Sequence, residues 1–159
     1  MAEVLGVSQG TVSRWESSTH EPDPSLRAKI VHVVTARSDS QSDAALKQLV
    51  VESRSAVHLV CDATHRLLAA SATRAASWRG GVEGRLGVSL WPYATPGIVA
   101  AEESLRDRGW FERAFQTVCF ETGPNWSLEI PVAPSVVRWD SVPLADGRVG
   151  RLTTTVRPA

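Results

Sequence analysis

The sequence predicts an α+β protein in which a small all-α segment precedes a larger domain of strands and short helices. Three observations predict this division. Residues 1–35 carry short helical patterns, residues 36–43 are small and polar like a linker, and Val, Leu and Trp become frequent from residue 44 onward. The two domains are therefore placed at residues 1–35 and 44–158. A chain of 159 residues has room for one small and one medium domain.

The overall composition narrows the class of protein. Hydrophobic residues make up 43% and charged residues 21%, which is ordinary for a globular protein and unlike a disordered one. The formal net charge is zero, so a nucleic acid would have to be bound by a local surface. No apolar run approaches the ~20 residues of a transmembrane helix, and no signal-peptide pattern opens the chain. We therefore expect a cytoplasmic protein with no membrane partner.

The first 35 residues fit two helices joined by a tight turn. Gly6 permits the positive φ that ends the first helix, and Ser8 is a good N-cap for the second. Val12 and Trp15 lie three residues apart on the second helix, so they share a face. That face would hold the two helices at a steep angle. The pattern therefore predicts a helix-turn-helix.

The segment containing this turn reads Leu5-Gly-Val-Ser-Gln-Gly-Thr-Val-Ser-Arg-Trp-Glu16. It resembles the recognition region of the phage-repressor-like (XRE) family of transcription regulators. The resemblance implies that the second helix enters the major groove of double-stranded DNA. It makes the following residues the DNA-binding candidates: Ser8, Gln9, Gly10, Thr11, Ser13 and Arg14. The family also has a further helix upstream, so we expect this domain to be N-terminally incomplete, through a late start, a truncation or degeneration.

The larger domain begins with a predicted amphipathic helix. Asp43 is expected to cap it, with Leu46, Leu49 and Val50 on one face. This face either packs on its own domain or pairs with a second copy of the chain, and both alternatives stay open. A homodimer is expected because helix-turn-helix dimers bind two half-sites.

The rest of the domain alternates between strand and helix patterns. Strands are predicted at 56–62, 66–70, about 115–121, 127–139 with prolines interrupting it, and 147–156, and helices at 71–78 and 96–108. This order, with Val60-Cys-Asp62 followed by Arg66-Leu-Leu-Ala-Ala-Ser71, resembles a PAS domain. The resemblance implies a five-stranded antiparallel sheet with flanking helices that senses a ligand or dimerises.

PAS domains commonly hold a ligand between the sheet and the helices, so the resemblance implies a pocket for a small apolar ligand. The candidate lining residues are Trp78, Trp91, Phe111, Phe115, Cys119, Trp126 and Trp139. Each of them has the alternative role of filling the core. No cofactor is expected, since the long helix lacks a His for haem and neither Cys has the neighbours typical of a flavin photosensor. Cys61 and Cys119 are expected to be buried free thiols.

Catalysis and metal binding are not expected. The sequence shows no clustered metal-ligand spacing, no Gly-rich phosphate loop and no nucleophile motif. Glu102 and Glu103 are adjacent on a predicted helix, so they point in different directions and are expected on a solvated face. The function predicted from the sequence is a dimeric transcription regulator with a sensory domain. The alternative is a PAS-like interaction module that has lost DNA binding.

Overall fold

The computed structural model describes residues 41–112 and 114–158. All predictions for residues 1–35, including the DNA-binding candidates, lie outside the described residues. The chain divides into two units between Gln41 and Ser42, and the described residues from Ser42 onward belong to the second unit. Within the described ranges, no helix has both the length and the apolar character needed to cross a membrane.

The second unit is a mixed α+β fold built on a five-stranded antiparallel sheet, as the sequence predicts. Its first helix, α1, covers residues 41–52. The other elements are β1 (Val57–Cys61), β2 (Leu67–Ala70), α2 (Ala72–Ala75), a 3₁₀ turn (Trp91–Tyr93), α3 (Pro96–Glu103), β3 (Thr117–Thr122), β4 (Ser135–Pro143) and β5 (Val149–Pro158). The predicted order of two strands, short helices, a longer helix and three strands is confirmed.

Several predicted boundaries are wrong. The helix predicted at 71–78 covers only Ala72–Ala75, and the strand predicted to end at residue 139 extends to Pro143. The strand predicted at 127–139 begins only at Ser135, because Pro131 and Pro134 lack the N–H that a strand ladder needs. Helix α3 ends at Glu103 instead of continuing to residue 108, and turns follow it.

The strand order places the last strand in the middle of the sheet. The order is β2-β1-β5-β4-β3, and every neighbouring pair is antiparallel. In this register Val60 of β1 lies opposite Arg151 of β5. A charged residue therefore lies at the centre of the sheet, where it must find partners within the protein.

Helix α1 packs on one face of the sheet. Leu46 and Val50 join the cluster formed by Val57 and Leu59 of β1. Leu49, predicted on the same face as these two residues, is 68% exposed and does not pack on the sheet with them. Leu46 and Val50 are one helical turn apart and both contact the sheet, whereas the side chain of Leu49 points away from it.

Asp43 does not cap α1 as predicted, because residues 41–43 are already helical. Its Oδ1 instead accepts a hydrogen bond of 3.0 Å from the backbone N–H of Ala145, in the turn between β4 and β5. This hydrogen bond holds the first turn of α1 against the turn that joins β4 to β5.

The opposite face of the sheet carries two separate apolar clusters. One contains Leu105, Trp110 and Trp139 with other buried residues, and Ile98 of α3 packs against it. The other centres on Trp78 and includes Val60 and Ile130. Residues from both clusters border the cavity described below, which lies where the two clusters meet.

Candidate ligand-binding site

A cavity of about 100 Å³ lies between the sheet and the segments that cover it. Four aromatic side chains form much of its wall: Trp78, Trp91, Tyr93 and Trp139. Four basic or imidazole side chains also line it: His58, His65, Arg74 and Arg151. Exposed Trp91 and Pro131 lie at its rim. The cavity thus combines apolar walls with a few polar groups, which is typical of small-molecule sites.

Three polar side-chain atoms of the described residues are buried without a hydrogen-bond partner, namely His58 Nδ1, His65 Nε2 and Arg74 Nε. All three belong to residues that line this cavity. Buried polar groups in folded proteins are nearly always paired, and each exception calls for an explanation. Their concentration at one cavity makes the cavity the candidate ligand-binding site.

Arg74 lies on α2, whose start is fixed by the buried side chain of Ser71. The Ser71 hydroxyl accepts a hydrogen bond from the Arg74 backbone N–H at 3.1 Å and donates one to the Ser55 carbonyl at 2.7 Å. The Arg74 guanidinium reaches the sheet, where Nη2 donates to the Ala56 carbonyl at 2.8 Å and to Thr155 Oγ1 at 2.7 Å. Both acceptors are neutral. Burial lowers the pKa of Arg74 to about 10, so the group is still charged at neutral pH.

His58 lies on β1 beside Arg74. Its ring stands at 64° to the ring of Trp78, with 5.9 Å between the centroids. The residue keeps a partly exposed edge, whereas Nδ1 itself is buried. Burial lowers the pKa of His58 well below its ordinary value, and the positive charge of Arg74 lowers it further. At neutral pH the imidazole is therefore uncharged.

Arg151 has a different environment from Arg74. It is 1% exposed, and its Nε donates to Asp62 Oδ1 at 2.6 Å. Its Nη1 contacts the Glu102 carboxylate, and its guanidinium lies 4.4 Å from the ring centre of Trp139. Two carboxylates thus neutralise Arg151 at one end of the cavity. Buried charges are tolerated when they are paired in this way.

Glu102 belongs to this ionic cluster, so the prediction that it lies on a solvated face is wrong. Although burial acts to raise its pKa, the neighbouring His65 and Arg151 outweigh burial and lower the pKa to about 2. His65 Nε2 lies 3.4 Å from Glu102 Oε1, so the Glu102 carboxylate faces His65 as well as Arg151. Glu103, one residue later, is exposed as expected.

Of the seven aromatic and cysteine candidates, Trp78, Trp91 and Trp139 lie on the cavity wall. The other four lie elsewhere, which corrects the prediction. Phe111 and Phe115 are exposed and border a separate cavity, and Trp126, in the loop before β4, is 86% exposed. Cys119 is exposed and so not the buried thiol expected, because strand alternation turns Val118 inward and Cys119 outward. Cys61 is buried, and both thiols are free.

Sequence reasoning missed the polar lining residues His58, Arg74 and Arg151. A signal was present for two of them. His58 and Arg151 are polar residues within predicted strands. Strand alternation places His58 on the same face as Val60, and Arg151 on the same face as Thr153. Arg74 gave no such signal, since a basic residue on a short helix is usually solvated.

Residues 41–112 and 114–158 contain no group of three His, Cys, Asp or Glu side chains that could hold a metal ion. Comparison of the sequence with protein-family models and with curated proteins finds no match.

Proposed function

We propose that residues 44–158 form the sensory domain of a DNA-binding transcription regulator, and that a small molecule in the cavity alters DNA binding. One observation carries the proposal: His58 Nδ1 and Arg74 Nε are buried without a hydrogen-bond partner, and both residues line one aromatic-walled cavity. Leaving such an atom unpaired costs about 1–3 kcal/mol. A ligand that supplies the partners recovers this free energy as affinity.

The DNA-binding part of the proposal rests on the resemblance of Leu5–Glu16 to the recognition region of XRE regulators. Helix α1 supports a connection between the two functions. It follows residues 1–40 in the chain, and it contacts the sheet through Val50 and through the bond between Asp43 and Ala145. A ligand-induced change in the sheet would therefore reach the preceding residues through α1.

The proposal includes a homodimer formed through α1. Exposed Leu49 supports it, because a large apolar side chain on a helix next to a DNA-binding segment suits contact with a second copy. Leu49→Glu is expected to lower the dimer fraction in sedimentation velocity. Ala44→Glu adds the same charge on a different side of α1 and is the matched control. Equal dimer fractions in the two variants would contradict this part of the proposal.

The experiment that tests the function measures affinity for promoter DNA of the chain's own gene and for random DNA over a salt series. It uses the chain and a form that carries any residues encoded in frame before Met1. Each is measured alone and with single-ring probes (benzyl alcohol, benzoate and benzylamine). We expect a preference for promoter DNA, an affinity that falls steeply with salt, and a change with at least one probe. No preference for promoter DNA in either form would overturn the proposal.

A further inference from the structure

We infer that the cavity takes a small aromatic monocarboxylate, with its carboxylate at Arg74 and its ring among Trp78, Trp91 and Trp139. This inference names the ligand class for the sensory role proposed above and rests on that role for its regulatory meaning. The binding chemistry itself is testable without DNA.

The two arginines of the cavity differ in the partners of their positive charges. Arg74 and Arg151 both line the cavity, and Arg151 is neutralised by Asp62 and Glu102. Arg74 donates only to a carbonyl and a hydroxyl, and no carboxylate of the described residues lies within 4.0 Å of it. An unpaired guanidinium in a poorly solvated site interacts strongly with an anion. The cavity therefore favours a ligand with one negative charge.

Two neighbouring residues of the cavity, Arg74 and His58, each have a side-chain nitrogen without a hydrogen-bond partner. Arg74 Nε has a proton to donate, and Nδ1 of the nearby His58 has no partner. Both atoms are buried, so a carboxylate reaches them only when the side chains of Arg74 and His58 turn toward the cavity. One of its oxygens then accepts from Arg74 Nε and the other from His58 in the tautomer protonated at Nδ1. His65 is less suited to the carboxylate, because the negative charge of Glu102 lies beside its Nε2. This difference assigns the charged end of the ligand to Arg74.

The volume of the cavity and the aromatic side chains in its wall favour a single aromatic ring. A cavity of ~150 Å³ lined by apolar residues can accept benzene, and the present cavity holds about 100 Å³. One ring is therefore the upper limit of size, and the ring and its substituent also need the open side of the cavity beside the exposed Trp91. Aromatic rings pack on one another in offset or edge-to-face arrangements. Three indole rings in the wall thus favour an aromatic ligand over an aliphatic one.

The test compares three probes at neutral pH by tryptophan fluorescence and calorimetry. Benzoate has the ring and the charge, benzamide has the ring without the charge, and isobutyrate has the charge without the ring. We expect benzoate to bind at least about tenfold more tightly than either of the others. Arg74→Gln is expected to reduce benzoate affinity to the level of benzamide and to leave benzamide affinity unchanged. The control, Arg138→Gln, removes an exposed arginine outside the cavity and should change neither.

The outcomes separate this inference from the proposed function. Equal affinities for benzoate and benzamide in the unmodified chain would overturn the carboxylate assignment, even if Arg74→Gln fails to fold. Equal affinities for benzoate and isobutyrate would overturn the aromatic assignment. Tight, selective binding of benzoate supports the inference. If benzoate binds but changes promoter affinity in neither form of the chain, the proposed sensory function is wrong, whereas the assigned ligand class is still supported.

Discussion

Arg74 and Arg151 line the same cavity, but only Arg151 has carboxylate partners, with its Nε 2.6 Å from Asp62 Oδ1. Arg151 is thus a self-contained part of the core. Arg74, whose Nη2 donates to two neutral oxygens, keeps its charge uncompensated. This difference between two arginines of one cavity is the basis for assigning an anionic ligand to it.

Replacing Arg151 is expected to destabilise the domain strongly. Arg151→Met removes the cation that Asp62 and Glu102 share, and Asp62 is then left buried with a single donor, Trp110 Nε1 at 3.2 Å. Breaking a buried pair in this way costs about 3–5 kcal/mol of unfolding free energy. Urea denaturation followed by circular dichroism measures it. Arg138→Met breaks an exposed pair with Asp140 and should cost less than about 1 kcal/mol; similar losses in both variants would refute the assignment.

Stability is expected to fall as the pH drops below about 6.5, the ordinary pKa of histidine. Burial first, and the charge of Arg74 second, lower the pKa of His58 in the folded protein. Below pH ~6.5 the unfolded chain binds a proton at this residue whereas the folded chain does not, so stability decreases towards the lower folded pKa. His58→Phe removes this contribution. Melting temperatures measured from pH 7.5 to 5 should fall less in His58→Phe than in the unmodified chain, and parallel curves would count against the assignment.

Two tryptophans predicted for the same pocket should behave differently when truncated. Trp139 is buried against Phe120, with 4.5 Å between ring centroids, whereas Trp126 is almost fully exposed. Trp139→Ala is expected to cost about 3–5 kcal/mol and Trp126→Ala less than about 0.5 kcal/mol. Chemical denaturation of both variants checks this. A large loss for Trp126→Ala would show that its loop packs in solution.

The first turn of α3 should not tolerate an added methyl group. A Cβ at Gly97 would lie 2.7 Å from the backbone oxygen of Glu121 on β3. Alanine is intrinsically better than glycine in a helix by about 1 kcal/mol, but this clash with backbone is expected to outweigh the gain. Gly97→Ala should therefore lower the melting temperature. Gly123→Ala, where a Cβ meets open space, is the control, and a stabilised Gly97→Ala variant would show that α3 can move away from β3.

The local features of the sheet could be predicted from the sequence, because they depend on neighbouring residues. The β-branched pattern around Val57–Cys61 identified β1, and the start of β4 was placed too early because too little weight was given to Pro131 and Pro134. The centre of the site could not be predicted in this way. Arg151 meets Asp62 across 89 residues and Glu102 across 49, so their pairing depends on the packing of α3 over the sheet.

The candidate pocket residues also could not all be predicted from the sequence. Residue type alone selected six aromatic positions and Cys119, and three of these seven residues lie at the cavity. Strand alternation separates Trp139 from Cys119, because Trp139 pairs with Val118 and successive residues of a strand face opposite sides of the sheet. No sequence rule of this kind applies to Phe115 and Trp126, which both adopt positive φ in irregular segments.

The central claim is that a single-ring molecule binds inside the cavity, and the most direct measurement is a benzoate titration followed by tryptophan fluorescence in two variants. Ala94→Phe fills the cavity from its wall, and Ala133→Phe makes the same substitution at an exposed loop position. We predict saturable binding in Ala133→Phe and in the unmodified chain, and loss of binding in Ala94→Phe. Equal binding in both variants, or none in the unmodified chain, would contradict the claim.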